Sequence, residues 1–389
     1  MKNEVAIKKI DSYEPQTIES ALTEVFNALG CNKFFTPNLN VLIKIDAGVD
    51  ANPDMAQTTN PAVVQAVINI VSGFGAKCTI VDSPIKQYTE NNLEKIYFET
   101  GMLEVANSSK CELNHNLKVC KLEIPNGVKT KSALLLEVVK KADAIINIGK
   151  IKVDKNLGFL ASSAGLFGFV PGEMKQIVLN RLTTVDDFNN YIIDIASRLQ
   201  NKLVLNVLDG VVALENNQSQ RMTSCIAAAE NMFSLDAVAS KIIGMDLNDT
   251  IVKTAANRGM IDINNPYKLL IGDLNELTLV DFDFGEKTRL SNIFSSKAQQ
   301  KHFFNQHQQR VTINPKKCKG CGRCASICTA NAITMKIDKN GELFAKVDYS
   351  KCIFCKKCYT ACPYSVVNLK TPIGYKMINH SVTKFNKQS

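Results

Sequence analysis

Histidine is nearly missing from this chain. His115 is the only one before residue 300, so the long N-terminal part lacks the material for a histidine-based triad, and His115 reads as a surface or structural residue. Long apolar runs are missing too. The longest uncharged run, 156–172, holds four glycines and a proline. It is too short and too interrupted to span a bilayer, and it reads as a buried or lid-like loop whose small residues would let backbone approach a cofactor. The opening MKNEVAIKKIDSYEPQ carries no apolar segment of the kind that drives secretion. Neither G-x-G-x-x-G nor a Walker pattern occurs, which leaves nucleotide binding unsupported. Low-complexity sequence is absent, and 45% hydrophobic with 21% charged residues over 389 positions suits a globular protein with one large core and one small one.

Cysteine is what the chain has in excess. Eight of its 13 cysteines fall in two short clusters, while Cys31, Cys78, Cys111, Cys120 and Cys225 stand alone. Without an export signal the expected compartment is the reduced cytosol, where clustered cysteines point to metal and isolated ones to small buried side chains. Charge is concentrated near the same clusters. From Arg310 onward 15 lysines and arginines face three acids, a balance of +12 that leaves −3 for the rest. Such a face suits nucleic acid or an acidic protein, but eight thiolates holding two clusters would cancel part of it, which weakens the nucleic-acid reading.

Residues 1–290 alternate strand and helix patterns, predicting an α/β domain with a mostly parallel sheet flanked by helices. Helices are expected over 16–29, from Asn60-Pro61 to about 71, and over 132–141, 184–199, 235–244 and 249–258. Strands are expected at VLIKI (41–45), CTIVD (78–82), AIINI (144–148), LVLNV (203–207) and KLLIG (268–272). Residues 291–309 lose periodicity and read as a linker or packing arm. A small unit follows at 310–370, then a basic tail, 371–389.

That small unit repeats itself at an offset of 34 residues. Cys318, Cys321, Cys324 and Cys328 correspond to Cys352, Cys355, Cys358 and Cys362, each set reading C-x2-C-x2-C-x3-C. Ile313 matches Val347 and Ile333 matches Val367; Pro363 follows the last cysteine of the second half and Thr329 that of the first. Three thiolates two residues apart wrap one face of a cubane, while the fourth is carried away to the other cluster. The expected ligands are Cys318, Cys321, Cys324 and Cys362 for one 4Fe–4S cluster, and Cys352, Cys355, Cys358 and Cys328 for the second. A zinc ribbon would leave the third cysteine of each run without a role. Residues 310–370 thus resemble a bacterial-type ferredoxin domain, a small α+β unit with two 4Fe–4S clusters.

The larger part resembles the domain-of-unknown-function family number 362, often fused to such a unit. The resemblance rests on "NVLIKID" (40–46), "TNPAVVQAVINIVSGFGAKCTIVDSP" (59–84), "KADAIINIGKIKV" (141–153), "GLFGFVPGEMK" (165–175), "LNVLDGVVALE" (205–215) and "FSLDAVASKIIG" (233–244). It implies architecture and no activity.

Ligands of open α/β sheets sit beyond the carboxyl ends of strands, which here selects Asp46, Asp82, Ser83, Lys150, Lys152 and Asp209. The lysines suit an anionic group, the aspartates a metal or a proton; turn and capping roles are the plainer alternative. No catalytic residue is identified. The expectation is an iron–sulfur redox protein, with an oxidoreductase role open, relaying electrons to or from a small molecule in the α/β domain. The rival is a non-enzymatic carrier or docking protein serving an acidic electron-transfer partner, and a third reading makes the clusters redox-sensitive staples.

Overall fold

Helices begin where the sequence supplies caps. Glu14 accepts the Thr17 N–H at 2.7 Å and Pro15 fills the first turn of α1 (Pro15–Leu29), which Gly30 ends in the left-handed region at φ 63°. Asn60 accepts the Ala62 N–H at 2.9 Å ahead of Pro61, opening α2 (Pro61–Gly73) at the expected place. Strand β1 (Glu4–Lys9) precedes α1, and β2 (Asn40–Lys44) and β3 (Lys77–Val81) flank α2.

The structure, a computed structural model, describes residues 2–284 and 310–370 except 110, 155, 156, 180, 183, 217, 329, 330, 339, 340, 350 and 353–356. The expected linker 291–309, the basic tail 371–389, Thr329 and Cys355 lie outside the described residues. The described residues fall into two compact units, one from 2–175 with 184–284, the other from 310–370 with the short stretch after residue 175.

After β3 the chain forms α3 (Glu90–Glu99), α4 (Met102–Ser108), β4 (Cys111–Leu113) and the hairpin β5 (Val119–Glu123) with β6 (Ser132–Leu136). Next come α5 (Val138–Lys141), β7 (Ala144–Asp154) and β8 (Gly158–Leu160). A 3₁₀ turn, Ser163–Phe169, leads to α6 (Gly172–Leu179) and α7 (Val185–Leu199). The unit closes with β9 (Leu203–Leu214), β10 (Gln220–Ala229), α8 (Met232–Ile243), α9 (Ile251–Asn257) and β11 (Lys268–Ile271).

Among the described residues one sheet runs β11-β1-β10-β9-β7-β2-β3-β4, with β8 added to β7. Strands β9, β7, β2, β3 and β4 are mutually parallel; β10 is antiparallel to both its neighbours and β8 to β7. The mostly parallel α/β architecture is therefore as expected. Crossovers β2–α2–β3 and β7–α7–β9 travel in opposite directions along the sheet, so right-handed connections put α2 and α7 on opposite faces. Burial on both faces explains the apolar runs of these strands. Beside α8 the core gathers Val5, Ile7, Leu208, Ala227, Leu235 and Val238, all fully buried.

One expected helix is wrong. Residues 132–136 form β6, and only Val138–Lys141 turn helical. Ser132–Leu136 hides Ala133 and Leu135 while Leu134 is exposed, a two-residue period that its pairing with β5 enforces.

In the smaller unit, β12 (Arg310–Ile313) pairs antiparallel with β15 (Val367–Lys370), and β13 (Ile333–Ile337) with β14 (Leu343–Val347). Short helices α10 (Arg323–Ser326) and α11 (Lys357–Thr360) follow the cysteine loops. Ile313 pairs with Val367 and Ile333 with Val347. Each repeat therefore takes its strand partners from the other repeat.

A single carboxylate closes the β5–β6 turn onto α7. Asp194 is fully buried, accepts the N–H groups of Val128, Lys129 and Thr130 at 2.8, 2.7 and 2.8 Å, and holds Arg258 Nη2 at 2.8 Å. Asp194→Ala strands three amides and a mostly buried guanidinium, so we expect a loss of about 3–5 kcal/mol, read by chemical denaturation.

Candidate functional site

Two places in the molecule concentrate chemistry. The first lies at the carboxyl edge of the sheet, where β2 stops while its neighbour β7 runs on. Asp46 follows β2, and Asp82 and Ser83 follow β3, as the sequence suggests. Lys150, Lys152 and Asp209 do not end strands: they sit inside β7 and β9, which continue because β8 and β10 pair with them.

The six residues divide into two groups. Lys150 and Asp209 are register partners and form a fully buried ion pair at 3.0 Å. Tyr13, just ahead of α1, donates to Asp209 at 2.7 Å and accepts from Lys150 at 3.0 Å, while the Asn60 N–H reaches the same carboxylate at 2.9 Å. Burial, with this carboxylate alongside, pushes the Tyr13 phenol far above its ordinary value. This group is self-contained, every charge matched.

The other group joins Asp46, Asp82 and Lys152 to two residues the sequence reading missed, Lys44 and Lys175. Lys152 lies 2.5 Å from Asp46 and donates to the Gln57 carbonyl at 3.0 Å. Burial works against the Asp46 carboxylate, but Lys152, with Lys44 and Lys175 behind it, outweighs this and holds it below its usual value. Lys44 stands 3.3 Å from Asp82, and Lys175 4.0 Å from the same carboxylate. Asp82 also accepts the Ala47 and Ser83 N–H groups, both at 2.6 Å. Lys44 donates to the Ile45 carbonyl and Lys175 to that of Ser83, whose hydroxyl ties to the Val170 carbonyl at 2.8 Å. Burial lowers the Lys175 ammonium to about 8, against the opposing pull of Asp82. A lysine inside the apolar strand VLIKI, buried on both faces, was the available signal for Lys44. Lys175 carried none.

Among the described residues of this unit no three His, Cys, Asp or Glu side chains are grouped as a metal ion needs. Each of the three candidate aspartates has a lysine ammonium as its partner. The glycines of 158–172 serve the chain itself. A Cβ on Gly168 would run into Asp82 and Lys44, and one on Gly172 into the Lys86 carbonyl, so the loop's backbone lies directly on the buried charges. His115 is exposed and meets Tyr97 edge-on. Of the isolated cysteines, Cys31, Cys78, Cys120 and Cys225 are buried as expected, whereas Cys111, on the short strand β4, is only half-buried.

The second place is in the smaller unit. Cys318, Cys321, Cys324 and Cys362 line one small cavity, with Tyr364 and Val366 beside them. Three come from one repeat and the fourth from the other. The surroundings of these sulfurs differ, and burial raises the Cys324 thiol above its usual value. Burial opposes ionisation of Cys362, yet the N–H groups of Val366, Tyr364, Val367 and Ser365 outweigh it and hold the thiol below its usual value. At the equivalent position of the other repeat the Ala332 N–H donates to Cys328 Sγ at 3.3 Å. Asn331 and Ser365, also equivalent, both take positive φ (48° and 50°), turning these amides toward sulfur. Cys324, Cys328 and Cys358 pack in the same small core, and Cys352 is half-buried.

An α/β unit with a buried lysine cluster, carried with a small unit whose cysteines ring a cavity, defines an iron–sulfur protein of two parts. Residues 317–366 match the 4Fe-4S dicluster domain. Residues 41–241 match the domain of unknown function (DUF362), and the chain belongs to that family. A thylakoid-associated protein of Synechocystis sp. is 26% identical over 329 residues, 78% of this chain and 95% of that protein. An uncharacterized ferredoxin of Methanocaldococcus jannaschii is 33% identical over 60 residues, 15% of this chain and 77% of its own length. Among solved structures, the lactate racemase apoprotein of Thermoanaerobacterium thermosaccharolyticum aligns at 10% identity with a TM-score of 0.39, covering 60% of this chain and 56% of that one. Among the described residues no helix is long and apolar enough to cross a membrane.

A buried carboxylate below the 3₁₀ turn gives a pH test. Asp236 on α8 is fully buried and accepts the Ser163 N–H at 3.2 and 3.3 Å; burial raises it to about 7, the Ser163 bonds opposing. The folded value lies above the unfolded one, near 3.9, so folding binds a proton and stability falls as pH rises between the two. Asp236→Asn keeps an acceptor but no charge. Its Tm advantage over wild type should grow from about pH 4 to about pH 7 and then level off, as thermal melts across pH would show.

Proposed function

We propose that this chain is an electron-transfer protein whose smaller unit binds two 4Fe–4S clusters and passes electrons to or from a ligand held at the carboxyl edge of the larger unit's sheet. The observation that carries the reading is the cavity ringed by Cys318, Cys321, Cys324 and Cys362. Such clusters are held by four thiolates and supply one-electron chemistry. In this reading these four hold one cluster, and Cys352, Cys355, Cys358 and Cys328 the other. The protein's own share is to set the cluster's environment. Backbone N–H groups aimed at Cys328 and Cys362 stabilise negative charge on sulfur and so favour the reduced state. At the sheet edge, Lys152 and Asp46 are the more open members, their side chains 17% and 21% exposed, against 5% or less for Lys44, Asp82 and Lys175. That gradient supports entry of a small ligand past the Lys152–Asp46 pair.

A second reading is favoured by charge. The +12 balance from Arg310 onward suits docking of an acidic redox protein, with the electrons used on that partner. Its signature is a partner affinity that falls steeply with salt.

The crossed ligand sets predict how iron is lost. Cys321→Ser and Cys362→Ser should each remove about half of roughly eight irons and abolish the same electron paramagnetic resonance signal, while Cys358→Ser abolishes the other. Iron and sulfide analysis with spectra of the dithionite-reduced, anaerobically purified chain would decide it. A wild-type preparation with iron near zero, or with zinc in its place, would sink the reading.

A further inference from the structure

Buried ammonium groups persist only where negative charge meets them. At the sheet edge Lys152 has Asp46. Lys44 and Lys175, with side chains 1% and 5% exposed, have one carboxylate between them, Asp82, itself 3% exposed. Each also donates to one main-chain carbonyl, of Ile45 and of Ser83 respectively. Among the described residues no other acid forms an ion pair with either lysine. Glu173, on the same helix as Lys175, accepts the Tyr88 N–H at 3.0 Å, and Asp209 is matched by Lys150. Three lysines therefore face two aspartates, and one positive charge is left over beside the backbone of Gly168. Two aromatic faces border it: Lys44 Nζ lies 5.9 Å from the Phe169 ring centre and Lys175 Nζ 6.0 Å from that of Phe167. These rings soften the charge without neutralising it.

We propose that the missing charge belongs to the ligand, a small organic acid whose single carboxylate lies between the ammonium groups of Lys44 and Lys175. One negative charge balances the site. A phosphate monoester, at about −1.5 to −2, would overturn the balance. Two oxygens give each ammonium a charge-assisted hydrogen bond, which chloride cannot do in the same geometry. The inference rests on the reading of the larger unit as the ligand-binding one and names the ligand's class.

The test uses the full chain with its clusters, under anaerobic conditions and at constant ionic strength. Acetate, inorganic phosphate and chloride are titrated separately by calorimetry into wild type, Lys175→Met and the exposed-site control Lys241→Gln. Acetate should bind saturably to wild type and the control, and about tenfold or more weaker to Lys175→Met. Without any ligand, Lys175→Met should melt higher than wild type, because the unmatched charge is gone and its stem is replaced by an apolar one. Binding of phosphate or chloride in preference to acetate overturns the carboxylate class. A lower Tm in Lys175→Met with acetate affinity unchanged makes Lys175 a structural strut and overturns the site. Acetate binding that leaves the reduced clusters' absorbance untouched keeps the site and counts against the electron-transfer reading, so the two fail separately.

Discussion

Lys44 sits on a strand covered on both faces, and the need to pair it organises the sheet edge. A lysine there is tolerable only with a carboxylate within reach, which Asp82 supplies from the end of the adjacent parallel strand. Asp82 in turn gathers the Ala47 and Ser83 amides, fixing the loops after β2 and β3. Ser83 then anchors Val170 and Lys175, which sets where the 3₁₀ turn ends and α6 begins. Gly168 follows from the same packing, since any side chain there would occupy the space of the ion pair. An ion-paired cluster at this edge is less stabilising than apolar packing of the same volume would be.

The smaller unit applies a different constraint, symmetry. Equivalent residues of the two repeats, Ile313 with Val347 and Ile333 with Val367, do not pair with each other's counterparts; they exchange, Ile313 with Val367 and Val347 with Ile333. A pseudo-twofold operation relates the two ladders, the Cys328 and Cys362 amide contacts, and the paired left-handed residues Asn331 and Ser365. One operation thus positions donors around both sets of cysteines.

Much of this was legible in the residues. Helix α1 was spelled by its apolar spacing and its stop at Gly30, and the caps of α2 and α7 by Asn60-Pro61 and by Thr184 with Asp187, whose N–H the threonine hydroxyl accepts at 3.0 Å. Cysteine spacing located the cavity's four sulfurs. Failures came where long-range pairing overrode local pattern. Leu134–Leu136 reads equally as helix or strand until β5 is beside it, and β10, in a segment with no clean alternation, is a strand because β1 and β9 both require a partner. At the site, Asp46, Asp82 and Ser83 were found from strand ends, and Lys150 with Asp209 for the wrong local reason. Lys175 and Tyr13 were out of reach, because tertiary packing alone brings them to the strands.

The exchanged ladders also constrain the order in which the smaller unit can assemble. Strand β12 is made before its partner β15, the last strand among the described residues, and the cavity's fourth cysteine, Cys362, comes just before β15. A nascent chain released as far as Cys328 has neither a complete ladder nor a complete thiol set, and its exposed apolar edge invites misassociation. In the proposed ligand scheme the set that includes Cys362 is therefore completed last, after the set that ends at Cys358 and after the β13–β14 ladder.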